Sequence, residues 1–242
     1  MRLDRWLTSL GFGSRSQVGA LIRRGGVQLN GAAVRDPGAS CDPERDRLTV
    51  GGEPADGRLT RHVLLHKPAG LLTAARDRKQ PTVMDLLPPV YASLGCMPVG
   101  RLDKDTTGLL LFTTDGELNH RLLAPGRHVD KVYLARTEGR AGEKEKEAFR
   151  AGILLDDGPA APAELEVLEA SEEASTVRIT LHEGRFHQVK RMCAAVGHPV
   201  ITLHREAFGP LRLEEDLAPG AWRELTEEET AALYRAAGMM EL

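Results

Sequence analysis

Gly100-Arg101-Leu102-Asp103-Lys104-Asp105-Thr106-Thr107-Gly108-Leu109-Leu110-Leu111-Phe112-Thr113-Thr114-Asp115-Gly116 is the most informative stretch of this 242-residue chain. It begins as a polar loop with two carboxylates, Asp103 and Asp105. It continues as Leu109–Phe112, four apolar residues in a row, the pattern of a strand covered on both faces. Asp115-Gly116 then turns the chain out. A charged loop anchored to a rigid buried strand is a suitable mount for a catalytic group. The residues alone leave two readings of the carboxylates. They can act as a general acid/base pair of the kind glycoside hydrolases use, or simply cap turns and the backbone at Thr106-Thr107.

Outward from this run, the chain alternates between strand and helix signals without a regular repeat. His62–His66 reads as a buried strand, and Lys67-Pro68-Ala69-Gly70 turns out of it. Glu117–Leu123 and Glu143–Gly152 read as helices. Val132 and Leu134, and Val177, Ile179 and Leu181, alternate as strands do. The pattern predicts an α+β fold whose larger domain holds a mixed, mostly antiparallel sheet flanked by helices.

The N-terminal part is different. Leu3, Trp6, Leu7 and Leu10 follow helical spacing, on a helix that also carries Arg2 and Arg5, and Gly11-Phe12-Gly13 ends it. Ser14 opens a second helix with Gln17 in capping-box position. Val27-Gln28-Leu29-Asn30-Gly31 predicts a strand and hairpin turn, with a further strand over Arg47–Val50. Residues 51–60, rich in turn formers, read as a linker. The expected domains are 1–50, a helix–helix–hairpin module, and 61–242.

Hydrophobic residues make up 41% of the chain and charged residues 28%, a balance that supports a core; aromatics are only 4%, so Leu, Val, Ile and Ala must build it. The net charge of -3 does not favour a polyanionic partner. Its distribution does. Residues 1–35 hold Arg2, Arg5, Arg15, Arg23, Arg24 and Arg35 against Asp4, a local charge of +5. Local phosphate contacts, not the overall charge, govern counterion release. No apolar run approaches the roughly 20 residues of a membrane span. The start is charged where a signal peptide turns apolar. The expectation is a cytoplasmic protein without a membrane partner. Cys41, Cys96 and Cys193 fit neither a disulfide framework nor a zinc pattern. Nor do His182, His187, His198 and His204, at spacings of five, eleven and six. No metal is expected, and packing or RNA contact is the reading these histidines are given.

The run from Gly100 to Gly116 resembles, without a gap, the signature of the RsuA-like pseudouridine synthases: a Gly-Arg-Leu-Asp loop, Thr-x-Gly-Leu-Leu-Leu, and an Asp-Gly turn. Lys131-Val132-Tyr133 is similar to that family's Lys-x-Tyr strand. Glu183-Gly184-Arg185-Phe186-His187-Gln188-Val189-Lys190-Arg191-Met192 is similar to its third motif. Residues 1 to about 50, above all the Ser14-Arg15, Val18 and Leu21–Gly31 pattern, resemble a small RNA-binding module first described in a ribosomal protein. Together the resemblances cover nearly the whole chain.

They imply isomerisation of uridine to pseudouridine in ribosomal RNA, with no cofactor. Asp103 matches the essential aspartate, which would attack the anomeric carbon or take a proton from the neighbouring sugar carbon. Lys190 matches the basic residue that keeps the aspartate ionised, and Tyr133 the active-site tyrosine that stacks on the base. Arg101 matches an arginine that holds the target nucleotide out of the stack. Arg2, Arg5, Arg15, Arg23, Arg24, Lys131 and Arg185 would contact RNA, since arginine grips phosphate oxygens bidentately. Asp105 becomes loop support. His66 stands where Asn is frequent in the family, and Val132 where Thr is. The Asp105-Thr106-Thr107-Gly108 variant resembles the branch acting on small-subunit RNA; Asn often replaces Asp105 in the large-subunit branch. The implied partner is ribosomal RNA in an assembling subunit, and the implied state a monomer. Two other classes stay open: a non-catalytic RNA-binding or assembly factor of this fold, and a glycoside hydrolase using Asp103 and Asp105.

Overall fold

Leu3, Trp6, Leu7 and Leu10, the stripe that predicts the first helix, are all buried. They lie on or directly after α1, Leu3–Ser9. The computed structural model describes residues 1–124 and 129–239. It divides into two units, one made of Met1–Arg61 and Leu87–Met97, the other of His62–Leu86 and the residues from Pro98 onward. Residues 240–242, at the end of the expected second domain, lie outside the described residues.

In the first unit, α2 (Arg15–Arg23) starts at the Ser14 capping box, with Ser14 N–H donating to Gln17 Oε1 at 2.8 Å. Strands β1 (Val27–Leu29), β2 (Ala32–Ala33), β3 (Leu48–Val50) and β4 (Glu53–Ala55) form a sheet in the order β2-β1-β3-β4. Asn30 and Gly31 turn the β1–β2 hairpin with φ of 52° and 83°, the left-handed pair that Asn-Gly adopts most readily. Trp6, Val18, Ile22, Val27 and Leu48 share one core.

The structure changes two details. Arg2 precedes α1 as its N-cap instead of lying on the helix. Residues 51–60 are built into the unit: β4 pairs with β3, and Gly57 C=O accepts Trp6 Nε1–H at 2.7 Å. A three-residue strand between glycine turns is too short to show alternation, so it read as a linker. Leu87–Met97, which carries α3 (Pro89–Ser93), groups with this unit as well; Leu94 packs on its core.

The second unit holds β5 (His62–Lys67), a 3-10 turn at Val83–Leu86, and, after β6 (Met97–Pro98), strand β7 (Thr107–Thr113) with helix α4 (Gly116–Leu123). There follow β8 (Lys131–Glu138), α5 (Glu143–Ala151), the short hairpin β9 (Leu154–Leu155) and β10 (Gly158–Pro159), β11 (Glu164–Ala170) and β12 (Ala174–Leu181). Then come α6 (Gln188–Ala195), β13 (Val200–Phe208), β14 (Leu211–Arg212), β15 (Trp222–Glu224) and α7 (Glu227–Ala236). The main sheet runs β11-β12-β8-β13-β7-β5-β15. Its pairings are antiparallel except β13 with β7. The fold is α+β with the mostly antiparallel mixed sheet that the pattern predicts.

Leu109–Phe112 are fully buried, and Leu109 and Leu111 share a core with Leu64, Leu118, Leu122, Phe208 and Leu233. Asp115 ends the strand and opens α4 by accepting Leu118 N–H at 3.0 Å, and it also receives the Tyr234 hydroxyl from α7 at 2.7 Å. At Gly108, φ 106°, β7 runs close against β13: a Cβ there would stand 2.3 Å from Arg205 O. Only glycine fits such a contact.

Candidate active site

The register of the main sheet sets Lys67 beside Gly108, Gly108 beside Arg205, Arg205 beside Tyr133, and Tyr133 beside Ile179. Five strands, β5, β7, β13, β8 and β12, thus bring one row of residues to a single level of the sheet. The loop that carries Asp103 enters β7 at this level.

That loop is held from several sides. Thr106 N–H donates to Asp103 O at 3.2 Å, and Thr73 Oγ1 donates to Leu102 O at 2.7 Å. Gly70 N–H donates to Lys104 O at 2.7 Å. Lys67, with no exposed surface, donates from Nζ to Pro68 O at 3.0 Å, Lys104 O at 3.2 Å and Thr106 O at 2.9 Å. Burial pushes its ammonium down to about 8, against partial support from Asp105 and Asp103. Sequence reasoning assigned Lys67 only to a turn. Its role as a clamp depends on carbonyls more than thirty residues away, and no local signal shows it.

Lys190 Nζ lies 3.0 Å from Asp103 Oδ2 and 2.6 Å from Asp105 Oδ1. One cation therefore bridges both carboxylates of the loop. Burial works against the Lys190 charge, but its bonds to Asp105 and Asp103 outweigh that and hold it above the ordinary lysine range. The same bond holds Asp105 below the usual carboxylate range. His187 Nε2 faces Asp103 Oδ1 at 3.3 Å. His187 is the N-cap of α6 at φ 49°, a left-handed conformation that histidine adopts more readily than most residues. Its ring stacks on Phe186 at 3.7 Å, and Phe186 is 70% exposed. Sequence reasoning gave His187 packing or RNA contact, and its approach to Asp103 was not foreseen.

A cavity of about 510 Å³ opens beside Asp103. Arg101, Tyr133, Lys190, Lys131 and Arg205 contribute to its lining, so Asp103, Tyr133 and Lys190 share one space. Arg101 is exposed, and among the described residues its guanidinium has no ion pair. Tyr133 and Lys131 are buried. Lys131 is thus inside the cavity, not on an outer surface, with Nζ donating to Val129 O at 2.9 Å. Burial, reinforced by Arg205, lowers its ammonium to about 8.

The expected RNA contacts separate into two groups. Arg5, Arg15, Arg23 and Arg24 are exposed on the first unit. Arg2 is also exposed but is held by both oxygens of Asp4, at 3.0 and 2.8 Å. Arg185 is engaged by the β9–β10 hairpin, through Asp157 and the carbonyls of Gly158 and Pro159. Arg191 binds Asp156 and Asp157 of the same hairpin. The three cysteines are buried thiols. His182 faces Asp130 at 2.7 Å, His198 faces Glu138 O at 2.8 Å, and His204 faces Thr107 Oγ1 at 2.8 Å. Among the described residues, no three His, Cys, Asp or Glu side chains converge on one point. No described helix is long and apolar enough to cross a membrane.

Comparison with known proteins gives the family. The RNA pseudouridylate synthase family model matches residues 61–195, and the S4 domain model matches residues 1–46. An uncharacterized RNA pseudouridine synthase of Bacillus subtilis, YtzG, is 40% identical over 230 residues, which is 95% of this chain and 96% of that protein. Ribosomal small subunit pseudouridine synthase A of Escherichia coli is 41% identical over 236 residues, covering 96% of this chain and all of that protein. A crystal structure of a pseudouridylate synthase superposes with a TM-score of 0.66 at 35% identity, over 96% of this chain and 99% of that one. The chain therefore belongs to the RNA pseudouridylate synthase family, as an RsuA-like pseudouridine synthase with an S4 domain at its N-terminus.

Proposed function

We propose that this chain isomerises a uridine of small-subunit ribosomal RNA to pseudouridine, with Asp103 as the reacting carboxylate. The observation that carries this reading is the convergence of Asp103, Lys190 and Tyr133 on one cavity. The near full-length similarity to the small-subunit enzyme of Escherichia coli supports the choice of RNA.

The chemistry follows from the arrangement. The glycosidic bond between uracil N1 and sugar C1′ breaks, the base turns, and C5 bonds to C1′. Asp103 meets the sugar as an anion, either bonding to C1′ or taking the C2′ proton, and Lys190 and His187 are placed to keep it in position. Tyr133 stacks on the base, and Arg101 occupies the space vacated in the RNA. Residues 1–50 act as the RNA-binding module, through Arg5, Arg15, Arg23 and Arg24, and residues 61–242 as the catalytic domain. Arg2 and Arg185 reach RNA only by exchanging their carboxylates for phosphates. The chain works as a monomer in the cytoplasm on ribosomal RNA of an assembling subunit.

The test is Asp103→Asn, assayed on transcripts of small- and large-subunit RNA. The unmodified chain converts a uridine in the small-subunit transcript. The variant binds the same transcript and makes no pseudouridine. Turnover by the variant would remove Asp103 from its role. Conversion of the large-subunit transcript instead would overturn the choice of RNA.

A further inference from the structure

Two buried cations, Lys131 and Arg205, line the same cavity as Asp103. Arg205 is 2% exposed and Lys131 8%. Both lie over the ring of Phe208, with the Arg205 guanidinium carbon 5.3 Å and Lys131 Nζ 5.4 Å from its centroid. Arg205 Nε–H donates to Leu109 O at 2.8 Å, while its Nη2 is buried without a hydrogen-bond partner among the described residues. Lys131 is held by one carbonyl, Val129 O. Among the described residues neither cation forms an ion pair, and Asp103 is engaged by Lys190 and His187 instead. Asp130 and Glu183 act on Lys131 only from a distance, and two like charges buried side by side with no carboxylate in contact are costly. Such an arrangement is suited to an anion that exists only during the reaction.

We propose that Lys131 and Arg205 stabilise the uracil anion set free when the glycosidic bond breaks. This rests on the isomerisation proposed above. When N1–C1′ breaks, its electron pair leaves with N1, and the resulting charge spreads to O2 and O4. The sugar is balanced by a bond from Asp103 to C1′, or by loss of the C2′ proton to Asp103. Both routes release the same anion. When C5 bonds to C1′, the Asp103 bond or the C2′ proton is returned, the C5 proton leaves, and N1 regains a proton. The charge is then gone. Stabilisation confined to the intermediate and its flanking transition states raises the rate without tightening substrate binding. The Lys131 ammonium, already pushed down by burial and by Arg205, gains most from an anion beside it.

The test compares single-turnover cleavage of the glycosidic bond in uridine RNA and in the same RNA with 5-fluorouridine at the target. Fluorine withdraws electrons, so the fluorinated base leaves with less help. Lys131→Met and Arg205→Met are expected to slow the uridine RNA by about 10²-fold each. The loss with the fluorinated RNA is expected to be several-fold smaller, with RNA affinity unchanged within about twofold. Arg205→Lys, which keeps the charge, recovers part of the rate. Should Arg205→Met not fold, because Leu109 O loses its donor, Lys131→Met and Arg205→Lys carry the comparison. Equal losses on both RNAs, or a loss explained by weaker binding, would overturn the proposal. If the unmodified chain makes no pseudouridine, the proposed function fails first and this inference fails with it.

Discussion

Replacing Lys67 with Met separates loop placement from RNA binding. The substitution keeps bulk and removes three donated hydrogen bonds, to Pro68 O, Lys104 O and Thr106 O. Lys104 O keeps a donor in Gly70 N–H. The other two carbonyls lose the ammonium, at about 1–3 kcal/mol each. Against this, the buried ammonium is itself unfavourable: a fall from 10.5 to about 8 corresponds to about 3 kcal/mol. The two effects largely offset, leaving anything from a gain of about 1 to a loss of about 3 kcal/mol. Such a loss lowers Tm by up to about 10 °C in a protein of this size. Activity should suffer more, because one of the freed carbonyls, Thr106 O, closes the Asp103 loop, and a displacement of about 1 Å at a reacting group costs about 10²-fold. The assay is single-turnover pseudouridine formation beside RNA affinity and Tm. A pH series adds an independent check. The native chain holds the Lys67 proton less tightly than the unfolded chain does, so its stability rises as pH goes from about 8 to 10.5 and is flat in this respect below 8. Lys131 acts in the same window, so Lys67→Met should keep about half of the rise. A variant with the full rate, or one whose loss of activity equals its loss of RNA affinity, would refute the clamp.

Other perturbations test other parts of the fold. Changing Arg5, Arg15, Arg23 and Arg24 together to Gln should weaken RNA binding and lower the salt slope by about 3–4, the loss of four phosphate contacts; an unchanged slope in filter binding would remove these residues from the interface. Gly108→Ala should destabilise by about 2–4 kcal/mol, since its Cβ meets the Arg205 backbone and its φ is unfavourable for alanine; urea unfolding with an unchanged midpoint would contradict the close strand contact. Lys190→Met should lose most of its single-turnover rate, since Asp103 and Asp105 then face one another without their shared cation, and Lys190→Arg should recover part of it. Equal rates for the Met and Arg variants would show that the charge of Lys190 is not what matters.

Asp103, Lys190 and Tyr133 were singled out by their match to the family's motifs; the residues alone left the loop carboxylates between acid/base work and turn capping, and showed only the elements that carry them. Asp103 precedes a strand whose apolar run announces burial, and Lys190 lies at the edge of a helix with a clear apolar stripe. Arg205 was not legible. Its strand, Val200–Phe208, interleaves Thr202, His204 and Glu206 with apolar residues, and its neighbours are set by sheet register. Lys67 ends a strand that reads as buried, yet nothing near it in sequence shows which carbonyls it meets. Arg185 looked free for RNA because the acidic tip at Asp156-Asp157 that occupies it lies almost thirty residues earlier. In each case the missing information was a long-range pairing, which periodicity does not contain.

The parallel pairing of β7 with β13 explains why the charges of the cavity stay apart. The parallel pairing places His204 and Arg205 beside Thr107 and Gly108, directly after the Asp103 loop. The absent side chain of Gly108 lets the two backbones meet there. Arg205 then turns to Leu109 O and Phe208, while Asp103 is engaged by Lys190 and His187 from the α6 side. Anion and buried cations thus share a cavity without neutralising one another. Such a separation would be lost if a single helix or loop carried both, since neighbouring opposite charges on one flexible segment pair readily. It depends instead on β7 and β13, distant in sequence and held in register by glycine.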